Sequence, residues 1–221
     1  THIHGDHTGN NAYFGEHGTH IVAHHNLREV MTTKGIPSPD GYKTAPPAAL
    51  PRITYQSQMT FHLNGKDTKL IHLPNAHTTG DTFVHIPEHN LIHAGDAFFN
   101  GIFPFIDLES GGTLEGYIAA QKKIYNVANK HTRLIPGHGP MADRNALKAS
   151  IDMLEDSQKI IKKLVKKGLS EEQVVAENPL QKYHETWNWG FITTEKMTIT
   201  IYRSLTAPKG GANPITTAHK H

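Results

Sequence analysis

The 221-residue sequence contains no cysteine. That absence excludes disulfide scaffolds, thiolate zinc fingers, iron–sulfur clusters and cysteine nucleophiles, so any bound metal falls to histidine and carboxylate ligands. Charge of one sign is lacking too. The 22 Lys and Arg are set against 20 Asp and Glu, interspersed, so neither nucleic acid nor an anionic membrane surface is expected as a partner. No apolar run approaches the roughly 20 residues of a membrane-spanning helix. The chain opens on Thr1-His2-Ile3 with neither Met nor a signal-peptide pattern, and it is expected to be a piece of a longer protein. What the sequence has in abundance is histidine, 18 residues in all, and that is the feature to explain.

Along the chain, strands alternate with amphipathic helices. Thr8 to Gly15 suggests a short helical turn ended by glycine, and His20 to Ala23 a short buried strand. Asn26 is placed to cap a helix through Thr33, closed by Gly35. Residues 35–51 hold five prolines and two glycines, too broken for regular structure and suited to a lid or surface loop. Asn64-Gly65 between Thr60–Leu63 and Lys66–Leu73 predicts a β-hairpin. Strands are expected at Thr82–Ile86, Asn90–Ala94 and Arg133–Pro136. Leu114, Ile118, Gln121 and Tyr125 mark one helix, Leu147 through Val165 a longer one, and Thr194 to Leu205 a last one. Lys162, Lys163, Lys166 and Lys167 are expected on a solvated helix face. One domain over residues 1–206 with a disordered tail, 207–221, follows from this pattern, in an α/β layered class.

The chemistry concentrates at the start. His2, His4 and Asp6 alternate, and in an extended segment all three would point to one side; His7 adds a fourth ligand beside them. Three further residues fall at strand ends flanked by Gly or Pro: His77 in Pro74-Asn75-Ala76-His77, Asp96 in Ala94-Gly95-Asp96, and His138 in Pro136-Gly137-His138-Gly139. In layered α/β folds that edge is where sites assemble. Nitrogen and oxygen donors in this mix suit zinc, with iron or manganese possible.

This set, Thr1-His2-Ile3-His4-Gly5-Asp6-His7 followed by His77, Gly95-Asp96 and Gly137-His138-Gly139, resembles the motif of the metallo-β-lactamase-fold superfamily, over roughly residues 1–140. The resemblance implies a four-layer αββα sandwich, N-terminally truncated here because such proteins place several strands ahead of the first motif. Such a chain would have an open sheet edge and be prone to associate. It further implies two zinc ions: His2, His4 and His77 on the first, Asp6, His7 and His138 on the second, and Asp96 bridging them with a hydroxide. A bridging carboxylate is more like glyoxalase II than the zinc β-lactamases proper. The implied activity is hydrolysis of an ester, thioester, lactone or lactam, a small-molecule substrate, with Asp6 as the catalytic carboxylate. Alternatives are a mononuclear iron persulfide dioxygenase, which shares His-x-His-x-Asp-His, and a non-catalytic metal-binding fragment. Relatives of this type point to a periplasmic or secreted location over a cytoplasmic one.

Around the site, Asp81 reads as a turn carboxylate, and His93 as a residue supporting Asp96 from behind. The loop Ala97–Asp107, with four of the eight Phe, is expected to join the 35–51 loop in an apolar substrate wall. Trp187 and Trp189 are expected to anchor the last helix, and Tyr183 and His184 are within possible reach of the cleft.

Overall fold

The computed structural model describes residues 1–38 and 41–208. One-turn helix α1 (Gly5–Thr8) and helix α2 (Asn11–Glu16) lead into strand β1 (Val22–His24) and helix α3 (His25–Thr33). A miniature hairpin, β2 (Ile36–Ser38) and β3 (Gly41–Lys43), and a 3-10 turn, Pro47–Ala49, occupy the proline-rich stretch. The expectation of no regular structure there is corrected: Ile36 and Lys43 pair across the hairpin, Pro37 sits within an edge strand opposite Tyr42, and Pro47 opens the 3-10 turn, where a missing N–H costs nothing. Strand β4 (Ile53–Tyr55) pairs parallel with β1. Neither its length nor its pattern marks it in the sequence.

The main sheet has five strands in sequential order: β5 (Gln58–Leu63), β6 (Lys66–His72), β7 (Thr82–Ile86), β8 (Leu91–Phe99) and β9 (Arg133–His138). The Asn64-Gly65 hairpin forms as expected. Pairing is antiparallel up to β8, which then runs parallel to β9. Strand β8 extends beyond Ala94 to Phe99 because two irregularities, at His93/Gly95 and Gly95/Phe99, let it bend and keep pairing. The remaining helices are α4 (Leu114–Val127), α5 (Arg144–Lys166), α6 (Glu171–Ala176), α7 (His184–Trp187) and α8 (Thr194–Thr206). Thr113, Asp143, Ser170 and Thr193 cap α4, α5, α6 and α8 by accepting from backbone N–H groups of the first turn.

The layers follow from apolar burial. Phe83, Ile92, Ala94 and Phe98 of the sheet pack on Ala120 and Ile124 of α4 and Leu147 and Ile151 of α5. Each such fully buried large side chain contributes roughly 1.5 to 3 kcal/mol. A second cluster knits α4, α5, α6 and α8 through Tyr117, Leu154, Val174, Met197 and Ile201. On the other face, Tyr55 OH lies 2.5 Å from Thr82 Oγ1, joining β4 to β7, and Leu27 and Met31 of α3 pack outside with Ile3 and Ala49. The order is therefore helices, a two-stranded sheet, the five-stranded sheet and helices: the expected αββα sandwich. Strand β5 forms an open edge of the large sheet, with Leu63 exposed. The four lysines of α5 and its end are exposed as expected. Among the described residues no helix is long and apolar enough to cross a membrane. Of the expected tail, residues 209–221 lie outside the described residues.

Candidate metal centre

Residues 1–4 enter extended, but the chain then turns helical at Gly5–Thr8. The expectation that His2, His4 and Asp6 share one side of an extended segment is corrected accordingly. The helical turn splits them: His2 and His4 face His77, while Asp6 and His7 swing round to Asp96 and His138. All seven residues anticipated from the sequence converge, as two groups. Within each, one ligand atom per residue lies within 4.8 Å of all the others.

The first group is His2, His4 and His77. His77 Nε2 is 3.1 Å from His2 Nε2 and 2.9 Å from His4 Nδ1. Its other nitrogen, Nδ1, donates to the Phe105 carbonyl at 2.7 Å, so that atom carries the hydrogen. His4 Nε2 likewise donates to Asp107 Oδ2 at 2.8 Å. In neutral rings, His77 Nε2 and His4 Nδ1 are then bare lone pairs facing each other. Burial, more than it is opposed by Asp96, pushes His77 down to about 4, so the ring is neutral near pH 7. Burial, with His77, His7 and His4 adding to it, drives His2 down as well. Three inward-facing imidazole nitrogens, with the outer nitrogens of His4 and His77 tied, are an arrangement that a cation at their centre satisfies.

The second group is Asp6, His7, Asp96 and His138. His7 Nε2 is 3.0 Å from Asp96 Oδ1 and 3.5 Å from Asp6 Oδ2. His138 Nε2 is 3.2 Å from Asp96 Oδ2 and 3.5 Å from Asp6 Oδ2. Asp96 Oδ2 also faces the first group, 3.7 Å from His77 Nε2 and 3.9 Å from His2 Nε2. Asp96 thus lies between the two groups. Its carboxylate is 3% exposed, yet Oδ1 has no aligned hydrogen bond, His7 being close but poorly directed. A buried carboxylate oxygen left so is costly unless a cation completes it. Burial works to raise the Asp96 carboxyl, but His7, His77 and His138 outweigh it and hold it below the ordinary carboxylate range. The donor set and this orphaned oxygen fit metal ions.

The glycines beside the ligands have steric reasons. A Cβ on Gly137 would sit 2.0 Å from Asp96 Oδ1, so only glycine lets β9 approach β8 at that point. Gly95 has φ +54° and its Cβ would meet Thr1 Oγ1 at 2.6 Å. That hydroxyl is 2.9 Å from His7 Nδ1.

Asp107 carries a role that the sequence reading missed. Burial works to raise its carboxyl, but hydrogen bonds from His4 and Ser110 prevail and hold it at about 2. It also accepts from the backbone of Glu109 and Ser110, while its own N–H donates to the His77 carbonyl. The available signal was a lone carboxylate ending an otherwise apolar loop. Asp81 sits where it was expected, in the turn: it accepts from Thr78 N and Oγ1, and burial pushes it up to about 7 against those bonds. His93 Nδ1 accepts from Gly95 N, bracing the bend before Asp96.

The surroundings need four corrections. Of the loop phenylalanines, Phe98 and Phe103 belong to the core, and Phe99 and Phe105 line the cleft with His4, Asp6 and His138. Trp187 anchors in the core as expected, whereas Trp189 lines that cleft. Tyr183 and His184 do not reach it: Tyr183 OH donates to Asp156, and His184 Nδ1 pairs with Thr194 Oγ1. The 35–51 loop contributes no lining residue to this cleft among the described residues.

Known structures repeat this architecture. A metallo-beta-lactamase from Pontibacter korlensis superposes with a TM-score of 0.59 at 17% identity, covering 70% of this chain and 66% of that one. The DIM-1 metallo-beta-lactamase gives 0.57 at 15% identity, covering 71% and 67%, and IND-7 gives 0.56 at 17%, covering 70% and 66%. At such identities the likeness speaks for the fold, and the chain spans about two thirds or less of those proteins' length. No curated protein matches the sequence. The profile of the Metallo-beta-lactamase superfamily matches residues 1–138, which include every residue of both ligand groups but the terminus of neither α5 nor α8. The chain belongs to the metallo-beta-lactamase superfamily.

Proposed function

We propose that this chain is a metal-dependent hydrolase with two ions, zinc by donor type, held by His2, His4 and His77 on one side and by Asp6, His7 and His138 on the other, with Asp96 shared. The observation carrying this reading is the buried Asp96 carboxylate, 3.2 Å from His138 and 3.7 Å from His77, with one oxygen unsatisfied. Two bound divalent ions would supply a water with pKa lowered towards neutrality and a polarised scissile carbonyl. Iron or manganese is compatible with the same donors.

The side chains of this chain do the rest. Asp107 and the Phe105 carbonyl fix the tautomers of His4 and His77, so their inward nitrogens stay bare and ready to ligate. Asp6 is 54% exposed, at the mouth of the cleft, and its Oδ2 is 3.5 Å from both His7 and His138. There it can orient the attacking water and return a proton to the leaving group. Phe99, Phe105 and Trp189 give the cleft beside the ligands apolar walls. An ester, thioester, lactone or lactam is the substrate class this arrangement favours, as a small molecule. A one-metal dioxygenase would leave the Asp6, His7 and His138 convergence without a purpose.

Reconstitution with zinc should give about two ions per chain and metal-dependent turnover of a chromogenic ester or lactam, and Asp96→Ala should abolish both. Undiminished turnover in Asp96→Ala would sink the mechanism. Iron content with oxygen uptake would replace it with the dioxygenase.

A further inference from the structure

We infer that the segment Trp189-Gly190-Phe191 completes an aromatic collar over both ligand groups and makes the site selective for an uncharged substrate whose acyl part carries one flat apolar ring. This rests on the hydrolase reading. It goes beyond it in naming the recognition element and the group recognised.

The collar can be followed ring by ring. Phe105 stacks near His4, centroids 5.7 Å apart at 25°. Phe191 meets Phe105 edge to face at 5.5 Å, Trp189 meets Phe191 at 5.6 Å, and Phe99 meets Trp189 at 6.3 Å. Phe99 then lies 4.6 Å from His138. The arc therefore begins on an imidazole of the first group and ends on one of the second. Edge-to-face packing is the favoured geometry for aromatic neighbours, and an added ring extends it without rearrangement.

The arm carrying Trp189 and Phe191 is pinned. Phe103 N donates to the Trp187 carbonyl at 2.7 Å, and Trp189 Nε1 donates to the Phe103 carbonyl at 2.9 Å. The indole has thus spent its one donor and offers the cleft only apolar surface. Lys196 Nζ donates to the Phe191 carbonyl and sits 5.4 Å from its ring, holding the tip. Phe191 nevertheless remains 51% exposed. A large apolar ring fixed at a cleft rim and left in water is surface waiting to be covered.

Size and charge narrow the occupant. The cleft is about 280 Å³, just under the roughly 300–1,000 Å³ of small-molecule pockets, so it takes one ring beside the reacting group and not a larger polycycle. Among the described residues no lysine or arginine lines it, and Lys196 at the rim is held by the Phe191 carbonyl, so a remote carboxylate on a substrate would find no free ammonium or guanidinium within it. The arm also lies beyond residue 138, outside the stretch the superfamily profile matches.

The test compares S-methyl thioacetate with S-methyl phenylthioacetate, which share a leaving thiol and differ by one ring, on the zinc-reconstituted chain. The phenyl substrate should show a kcat/KM at least about tenfold higher, through KM, as expected for one ring buried against aromatic walls. In Phe191→Ala that ratio should fall severalfold, and in Phe191→Leu, which keeps apolar bulk, by less. In parallel, phenylacetamide, an uncharged aryl ligand, should quench Trp189 emission saturably in the unmodified chain and not in Phe191→Ala. Hydrolysis with equal kcat/KM for the two thioesters, or a ratio unmoved in Phe191→Ala, would overturn the collar. Saturable quenching without turnover of either thioester would overturn the hydrolase reading and leave the collar standing.

Discussion

The two candidate ligand groups meet at Asp96 yet are built differently. His2 and His77 are fully buried, and the outer nitrogens of His4 and His77 are fixed by Asp107 and a backbone carbonyl. By contrast, Asp6 stands 54% exposed on a one-turn helix, and His138 is 37% exposed at a strand end. The first group is preorganised, so an ion binding there orders little that is not already ordered. Ligation at the second must fix side chains that solvent leaves free, which costs side-chain entropy. On the proposed reading the difference is a division of labour: a more closed group suited to holding an ion, and a more open one, with Asp6 and His138 on the cleft.

The sharpest way to break this comparison is to remove one histidine from each group. His77→Ala should lose the tightly held ion, with metal affinity at the first group falling by more than the roughly 10- to 100-fold that loss of an outer partner alone brings. His138→Ala should keep one ion per chain, bound as tightly as before. Equilibrium dialysis against zinc measures both. Equal losses in the two variants would show that the groups do not differ in the way the burial implies.

Asp107→Asn gives a smaller effect and sharpens the origin of the difference. An amide keeps an oxygen for the Glu109 and Ser110 N–H groups, so the turn survives, but the charge behind His4 is gone. First-group zinc affinity should fall about 10- to 100-fold, with the second group unchanged and the circular dichroism spectrum intact. An unchanged first-group affinity would mean that burial alone, without the tied nitrogens, accounts for the closed group.

How much of this could be read from the amino acids differs between the same two regions. All seven candidate ligands were legible, and the structure brings them together, because His and Asp beside Gly at strand ends have few other reasons to cluster. The partition between the groups came only from the resemblance to the superfamily: nothing in Gly5-Asp6-His7-Thr8 alone announces that the chain leaves the extended form there. Asp107 was hidden because its partner is 103 residues away, at His4. Strand β4 was hidden because three residues carry too little pattern, and its pairing with β1 decides it. Trp189 was half legible: it packs against the core that holds α8, as expected, but it also lines the cleft, which no local pattern distinguishes from the role of Trp187. The long periodic helices and the Asn-Gly hairpin came through, since their signals are local.

The closed group also has a support that acid should weaken, and this is the smallest effect expected. His72 and His24 stack at 3.5 Å, nearly parallel at 8°, beneath the turn that carries His77. His24 Nδ1 accepts from Asn26 N and so caps α3, which is the role the sequence suggested for Asn26 itself; Asn26 instead donates to the Thr79 carbonyl in the His77 turn. His24 Nε2 donates to the Gln56 carbonyl, and His72 Nδ1 to that of Asp81. Burial lowers both rings, with the Gln56 bond opposing and His25 adding for His24; for His72, His24 and Lys123 add to burial and bring it to about 4. In the unfolded chain these rings titrate near 6.5. Between about pH 6.5 and 4 the unfolded state therefore binds more protons, so stability is complete above that window and lost as pH falls through it. The full shift of His72, discounted for a half-buried ring, corresponds to on the order of 1 to 2 kcal/mol. Chemical denaturation of the metal-free chain at pH 7 and pH 5, with and without His72→Phe, isolates it: the variant keeps a stacked ring but cannot titrate, so it should lose less stability on acidification than the unmodified chain. An equal loss in both would show that acid acts through the ligand histidines and not through the stack beneath them.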